Sequence, residues 1–225
     1  MKMTTIFKRH ELPLAHTMIE TARRIKPRRD GSHTYQHYFL YWTAFNQIYT
    51  TIAHRAGYRT RIKKNEDGTV LTTPNGHVNI PAVEIASETE QIHLALQEFD
   101  DDLKDALVLH NNTQYFVGRI PYWGGIKIES DAFGQRPNGV IHVNHTSSSQ
   151  YPVWSPIDIQ YFDEYLENPG DPEIRDFLAR QIVDLLYTVR ENFMQGGKKL
   201  DDANDLSVVE HALPMLELIV KSFLH

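Results

Sequence analysis

The chain has 225 residues, of which 41% are hydrophobic and 23% charged, an ordinary globular balance that excludes global disorder. Cysteine is absent, which excludes disulfides, thiol nucleophiles and thiolate metal sites and suits a reducing compartment. Net charge is −6, yet residues 1–64 hold thirteen Lys or Arg against three acids, so the positive charge is concentrated at the front of an otherwise acidic chain.

The first ten residues are basic but lead into no signal-like apolar core. No run approaches the roughly 18 to 20 apolar residues needed to cross a bilayer. The expectation is a cytoplasmic protein with no membrane contact, folded as a single all-α domain over 1–225. Irregular or short-strand segments are expected as insertions at about 58–80 and 114–155.

From Glu11 to Ile25, Leu12, Leu14, His16, Ile19, Ala22 and Ile25 recur at helical spacing, and Pro27 ends the pattern. The cations Arg23, Arg24, Lys26, Arg28 and Arg29 follow closely; they either attract phosphate or form a solvated helix end. Tyr35 to Ala56 carries the strongest amphipathic signal of the first half, with Phe39, Trp42, Phe45, Ile48, Tyr49 and Ile52 on one stripe before Gly57. Core packing is the expected role of these aromatic side chains. Asp67-Gly68 and Asn75-Gly76 mark the next stretch as an exposed loop with one short hairpin.

Between Pro81 and Leu109 the helical pattern resumes, broken by Phe99-Asp100-Asp101-Asp102, and two helices are expected. Three adjacent Asp residues point around a helix instead of converging, so no metal site is assigned to them. Residues 114–155 are rich in glycine and serine and alternate in Tyr115-Phe116-Val117 and Val140-Ile141-His142-Val143, which suggests small strands; His142 and His145 are read as surface or packing residues. A short helix is expected over Asp158–Leu166, ending near Asn168-Pro169-Gly170.

Asp171-Pro172-Glu173 is a well-marked helix start, with an N-cap acceptor, a proline at the first helical position and negative charge at the positive end of the dipole. Ile174, Phe177, Leu178, Ile182, Leu185, Leu186, Val189 and Phe193 then form a wide apolar face, and Gly196-Gly197 ends it. A last helix is expected to start at Ser207, whose spacing to Glu210 is that of a capping box, and to run to Phe223 past Pro214. The two helices make a hairpin, and the expected body is a bundle of about five or six main helices with 33–57 and 172–195 in contact.

Tyr187-Thr188-Val189-Arg190-Glu191-Asn192-Phe193-Met194-Gln195-Gly196-Gly197-Lys198 resembles the signature of HEPN domains. In that signature a helix carries an arginine, a polar residue directly after it, and a histidine four to six residues further on, often followed by glycine. Phe39-Leu40-Tyr41-Trp42-Thr43-Ala44-Phe45-Asn46-Gln47-Ile48-Tyr49 is similar to the early core helix of the same family. The resemblance implies a HEPN-like helical bundle. Many such proteins are metal-independent ribonucleases that act as homodimers, with arginine and histidine of both subunits lining a shared cleft and no cofactor required.

Arg190 matches the family's arginine and Glu191 the polar residue after it, but Gln195 stands at the place of the histidine. Histidine can cycle a proton near neutral pH, whereas a glutamine amide can only hold a phosphate oxygen or a base edge. The resemblance therefore makes Arg190, Glu191 and Gln195 the catalytic positions of a weakened or inactive protein, with Arg190, Asn192, Gln195 and Lys198 as candidates for holding RNA or a nucleotide. Other roles stay open for each: a salt bridge from Arg190 to Asp184 or Glu191, a plain surface amide for Asn192, a helix cap for Gln195. Two further functions also stay open. One is an active ribonuclease whose base is Glu191, its pKa raised by desolvation, or another histidine such as His37; the other is a regulatory or structural dimer that binds a protein partner through the middle insertion.

Overall fold

The computed structural model describes residues 7–56, 61–62, 83–84, 86–117, 157–194 and 203–224. Among them the chain runs α1 (Pro13–Arg24), α2 (Ser32–Arg55), β1 (Arg61–Ile62), β2 (Val83–Glu84), α3 (Glu88–Leu96), α4 (Asp101–Val108), α5 (Thr113–Phe116), α6 (Ile159–Glu167), α7 (Pro172–Met194) and α8 (Ala203–Phe223). The result is an all-α bundle, with more helices than the five or six expected. Its only described sheet is the antiparallel pair in which Arg61 faces Glu84 and Ile62 faces Val83. These short strands frame the turn-rich stretch, as the expected hairpin does. Most of the two insertions, with Gly57, His142 and His145, lies outside the described residues.

Local chemistry explains the element boundaries. Pro13 opens α1, and Ala15, Ile19 and Ala22 are its buried face; Leu14, counted on the apolar stripe from spacing alone, is instead 44% exposed. The same shift of one position affects Phe39 on α2, where Tyr35, Tyr38, Trp42, Phe45, Ile48, Tyr49 and Ile52 are buried. Ser87 and Glu90 close a capping box on α3. Asp100 caps α4 by accepting from Leu103 N at 2.8 Å, while Asp101 reaches across to Arg175 at 2.8 Å, so the acidic run serves a cap and an interhelical ion pair. Asp171 accepts from Glu173 N and Ile174 N at the start of α7.

Two expectations need correction. Tyr115 and Phe116 form a helical turn instead of a strand, and only Val117 pairs, in a parallel bridge with Ile157. Helix α8 begins at Ala203 and not at Ser207; Ser207 lies within the helix and donates to the Tyr115 hydroxyl at 3.3 Å. Tertiary packing of the added turn overrides the capping pattern, because Leu206 is drawn against Gly31.

α1 and α2 form an antiparallel hairpin, with Ala15 N bonded to the Gln47 side chain at 2.7 Å. α8 packs on α2, and α4 and α6 pack on α7. α3 touches both α2 and α7, so it bridges the two long helices. Those two meet through a few large side chains and not along their lengths: Tyr38 donates to Leu186 O at 2.7 Å, and Trp42 lies 6.2 Å from Tyr187. At the other end of the core Phe223 packs against Phe7 and Phe99 at centroid distances of 6.1 and 5.6 Å, and Phe7 N donates to Phe223 O. No helix among the described residues is long and apolar enough to cross a membrane.

Gly31 precedes α2 with φ +70°, and a Cβ there would stand 2.5 Å from Leu206 Cδ2. Gly31→Ala is therefore expected to destabilise the fold by about 1–2 kcal/mol from left-handed backbone strain and crowding together. In a Leu206→Ala background the crowding part disappears. Urea denaturation of the four combinations checks this; an additive cycle would show that Leu206 is not the obstacle.

Candidate functional site

Arg190 sits in the last two turns of α7, where helical spacing puts it on one face with Tyr187 and Asp184. That face meets α3, which presents Glu88, Thr89 and His93, and the seam holds three polar contacts in antiparallel order. Arg190 bonds Glu88, the Thr89 hydroxyl faces the Tyr187 phenol as a donor, and Asp184 Oδ1 lies 2.7 Å from His93 Nε2. The capping box fixes the start of α3 and hence the height of Glu88 on the seam.

The Arg190 guanidinium is held from several sides. Nη1 lies 3.2 Å from Glu88 Oε2 and also donates to Glu191 Oε1. Its carbon lies 6.0 Å from the ring centroids of both Trp42 and Tyr187, at the outer range of a cation–π contact. The other Glu88 oxygen accepts from the Tyr49 hydroxyl, which in turn accepts from Asn46 Nδ2. Trp42, Asn46 and Tyr49 are four and three residues apart on α2, so one helix face supplies the aromatic wall and the polar support together.

These surroundings set the protonation of the phenols. Burial pushes the Tyr49 hydroxyl far above its ordinary value, and its bond to Glu88 adds to the shift. Tyr187 is also raised, by burial first and then by the Glu191 and Glu88 charges. Both therefore stay protonated across the neutral pH range, and Tyr49 donates to Glu88. The Arg190 side chain is 22% exposed, so the cation is neither sealed in the core nor loose on the surface.

Of the residues singled out from sequence, the structure brings Arg190 and Glu191 together as a pair. Asn192 belongs to α7, but its side chain lies outside the described residues, as do Gln195 and Lys198 altogether. Asp184 does not pair with Arg190; it engages His93 and, at 3.9 Å, Arg180. His37, considered as an imported base, packs edge-on against His33. Sequence reasoning missed Glu88, Thr89 and His93. It placed Trp42, Asn46 and Tyr49 on the correct helix but gave the aromatic residues only a packing role. A polar Asn46 beside the aromatic stripe was the available signal. Among the described residues no group of His, Asp and Glu could hold a metal ion. Compared with family models, curated proteins and solved structures, the chain gives no match.

Proposed function

We propose that this chain is a HEPN-like protein that binds RNA or a nucleotide through Arg190, with its cleavage chemistry weakened or lost. The observation that carries the reading is the way Arg190 is held. Both carboxylates take the same nitrogen, Nη1, and leave Nη2 and Nε without a partner among the described residues. Glu88 and Glu191 thus fix the direction of the guanidinium, and its remaining N–H groups suit the oxygens of a phosphate.

The loss of cleavage follows from the chemistry next to it. Gln195 offers an amide that does not accept a proton near neutral pH. On the seam His93 is engaged by Asp184, six residues before Arg190 and so about 9 Å away along the helix axis, with the Tyr187 contact between them. Glu191, the alternative base, has its carboxylate on Arg190 Nη1. By the same resemblance the protein is a homodimer with the two Arg190 residues facing a common cleft; light scattering at twice the protomer mass is the expected result.

Fluorescence anisotropy with a single-stranded oligoribonucleotide tests the binding role. Arg190→Ala should weaken binding by about 10-fold or more, the usual worth of a charge-assisted hydrogen bond. Arg190→Lys should recover less than half of that loss in free energy, because a point charge replaces a planar fork. Equal affinity for the natural chain and both variants would remove Arg190 from the site.

A further inference from the structure

The positive charge at the front of the chain has a specific place in the fold. A cleft of about 240 Å³ opens between α1 and the end of α8, well above the roughly 15 Å³ that a single water requires. Arg9, Arg23 and Lys221 line it above a floor of Ile19, Val220 and Leu224. Arg9 is paired with Glu20, and Lys221 lies 2.5 Å from Glu217, whereas Arg23 makes no ion pair among the described residues.

Arg23 also begins an exposed corner that continues through Arg24, Lys26, Arg28 and Arg29, none of them ion-paired among the described residues. Favourable interaction with the C-terminal dipole of α1 accounts for Arg23 and Arg24, which occupy its last turn. It does not account for the three cations beyond the helix. Asp30, the one acid at this corner, accepts from Ser32 Oγ and N at 2.8 and 3.0 Å; these bonds, and then the Arg28 charge, lower its pKa. One carboxylate against five cations leaves this corner strongly positive, in a protein whose net charge is −6.

We propose that this face is a track for single-stranded RNA: the corner cations hold successive phosphates, and the cleft takes one nucleotide, its phosphate on Arg23 and its base on the apolar floor. The proposal rests on the reading of the protein as an RNA binder and adds a second contact surface to Arg190. A phosphodiester strand fits because it supplies evenly spaced single charges to a row of unpaired cations, and because its unstacked bases present apolar faces to a small hydrophobic recess. His16, on the cleft wall, reports on the occupant. Burial lowers its pKa, as do Arg9 and Arg23, while Glu20 opposes them; a phosphate between these cations offsets their field and raises it.

The test is the salt dependence of binding to a twelve-residue oligouridylate. For single strands each phosphate contact contributes about 0.7 to the slope of log affinity against log salt. The quadruple variant Arg23→Gln, Arg24→Gln, Arg28→Gln, Arg29→Gln should flatten the slope by about 3 and weaken binding several-hundred-fold at 0.1 M salt. Arg28→Gln with Arg29→Gln, confined to the segment between the helices, should flatten it by about 1.4 without touching a helix. Uridine monophosphate should raise the NMR titration midpoint of His16. Binding that falls with Arg190→Ala but keeps its slope in both corner variants leaves the RNA reading standing and overturns this assignment. A His16 midpoint unmoved by saturating nucleotide overturns the cleft contact. If the natural chain does not bind the oligonucleotide, the reading and this proposal fail together. Corner-dependent binding to phosphatidylserine vesicles in that case would identify the face as a lipid surface.

Discussion

Replacing Gln195 by histidine should raise cleavage of single-stranded RNA by at least 100-fold over the natural chain, and adding Arg190→Ala should remove the gain. Abstraction of a ribose 2′-hydroxyl proton by a positioned side chain contributes roughly 10²- to 10⁴-fold to such a rate. The amide of Gln195 supplies none of it by that route. On the proposed reading Arg190 supplies the charge stabilisation: α7 carries it near the helix end at Met194, and Glu88 and Glu191 orient the guanidinium. The imidazole must land within about 1 Å of the position that the HEPN resemblance implies, since a misplacement of that size costs roughly 100-fold. Gel assays with chelator present separate this chemistry from metal-dependent contamination. Strong chelator-resistant cleavage by the natural chain, unchanged by Arg190→Ala, would place catalysis elsewhere and end the reading.

The largest expected loss of stability comes from the far end of the molecule. Phe223→Ala should destabilise the fold by about 3–5 kcal/mol, because it removes a fully buried ring that packs against Phe7 and Phe99 and leaves a cavity among rigid neighbours. That is a large part of the total stability of an ordinary domain, about 5–15 kcal/mol. The melting temperature should fall by roughly 10 °C. Phe177→Ala is the control: its ring is 40% exposed and lies against Tyr161 at the surface, so its loss should be less than half as great. Equal losses for the two would mean that burial at Phe223 is not what the ring contributes.

Much of the bundle is legible in the amino-acid sequence. Asp171-Pro172 marks the start of α7 because a cap acceptor and a pre-set φ act within four residues, and the structure keeps both. Asp158 is equally local and caps α6. Where sequence and structure part, the deciding contact is distant or the spacing is ambiguous. Ser207 and Glu210 have the spacing of a helix start, but Leu206 one residue earlier packs at Gly31, and no local rule sees 175 residues back. Leu14 and Phe39 lie one position from the buried stripe, within the tolerance of a 3.6-residue period. The candidate site is half visible for the same reason. Arg190 and Glu191 are neighbours in the chain, whereas Glu88 is 102 residues from Arg190, on a helix that only the tertiary fold brings to it.

The packing of α8 on α2 has a consequence for the chain as it is made. α2 is complete at Arg55, but the helix it packs on ends at Phe223, and the two cannot meet fully until the 168 residues from Arg55 to Phe223 have been synthesised. At about 5–20 residues per second that interval is roughly 10 to 30 s. During it the stripe from Tyr35 to Ile52 has α1 and later α3 for company, but not the Val208 to Val220 face that finally buries it. Closing so long a loop brings its entropic penalty forward and its contact energy late, which favours slow folding and a nascent state with aromatic surface open to chaperones or to other nascent chains.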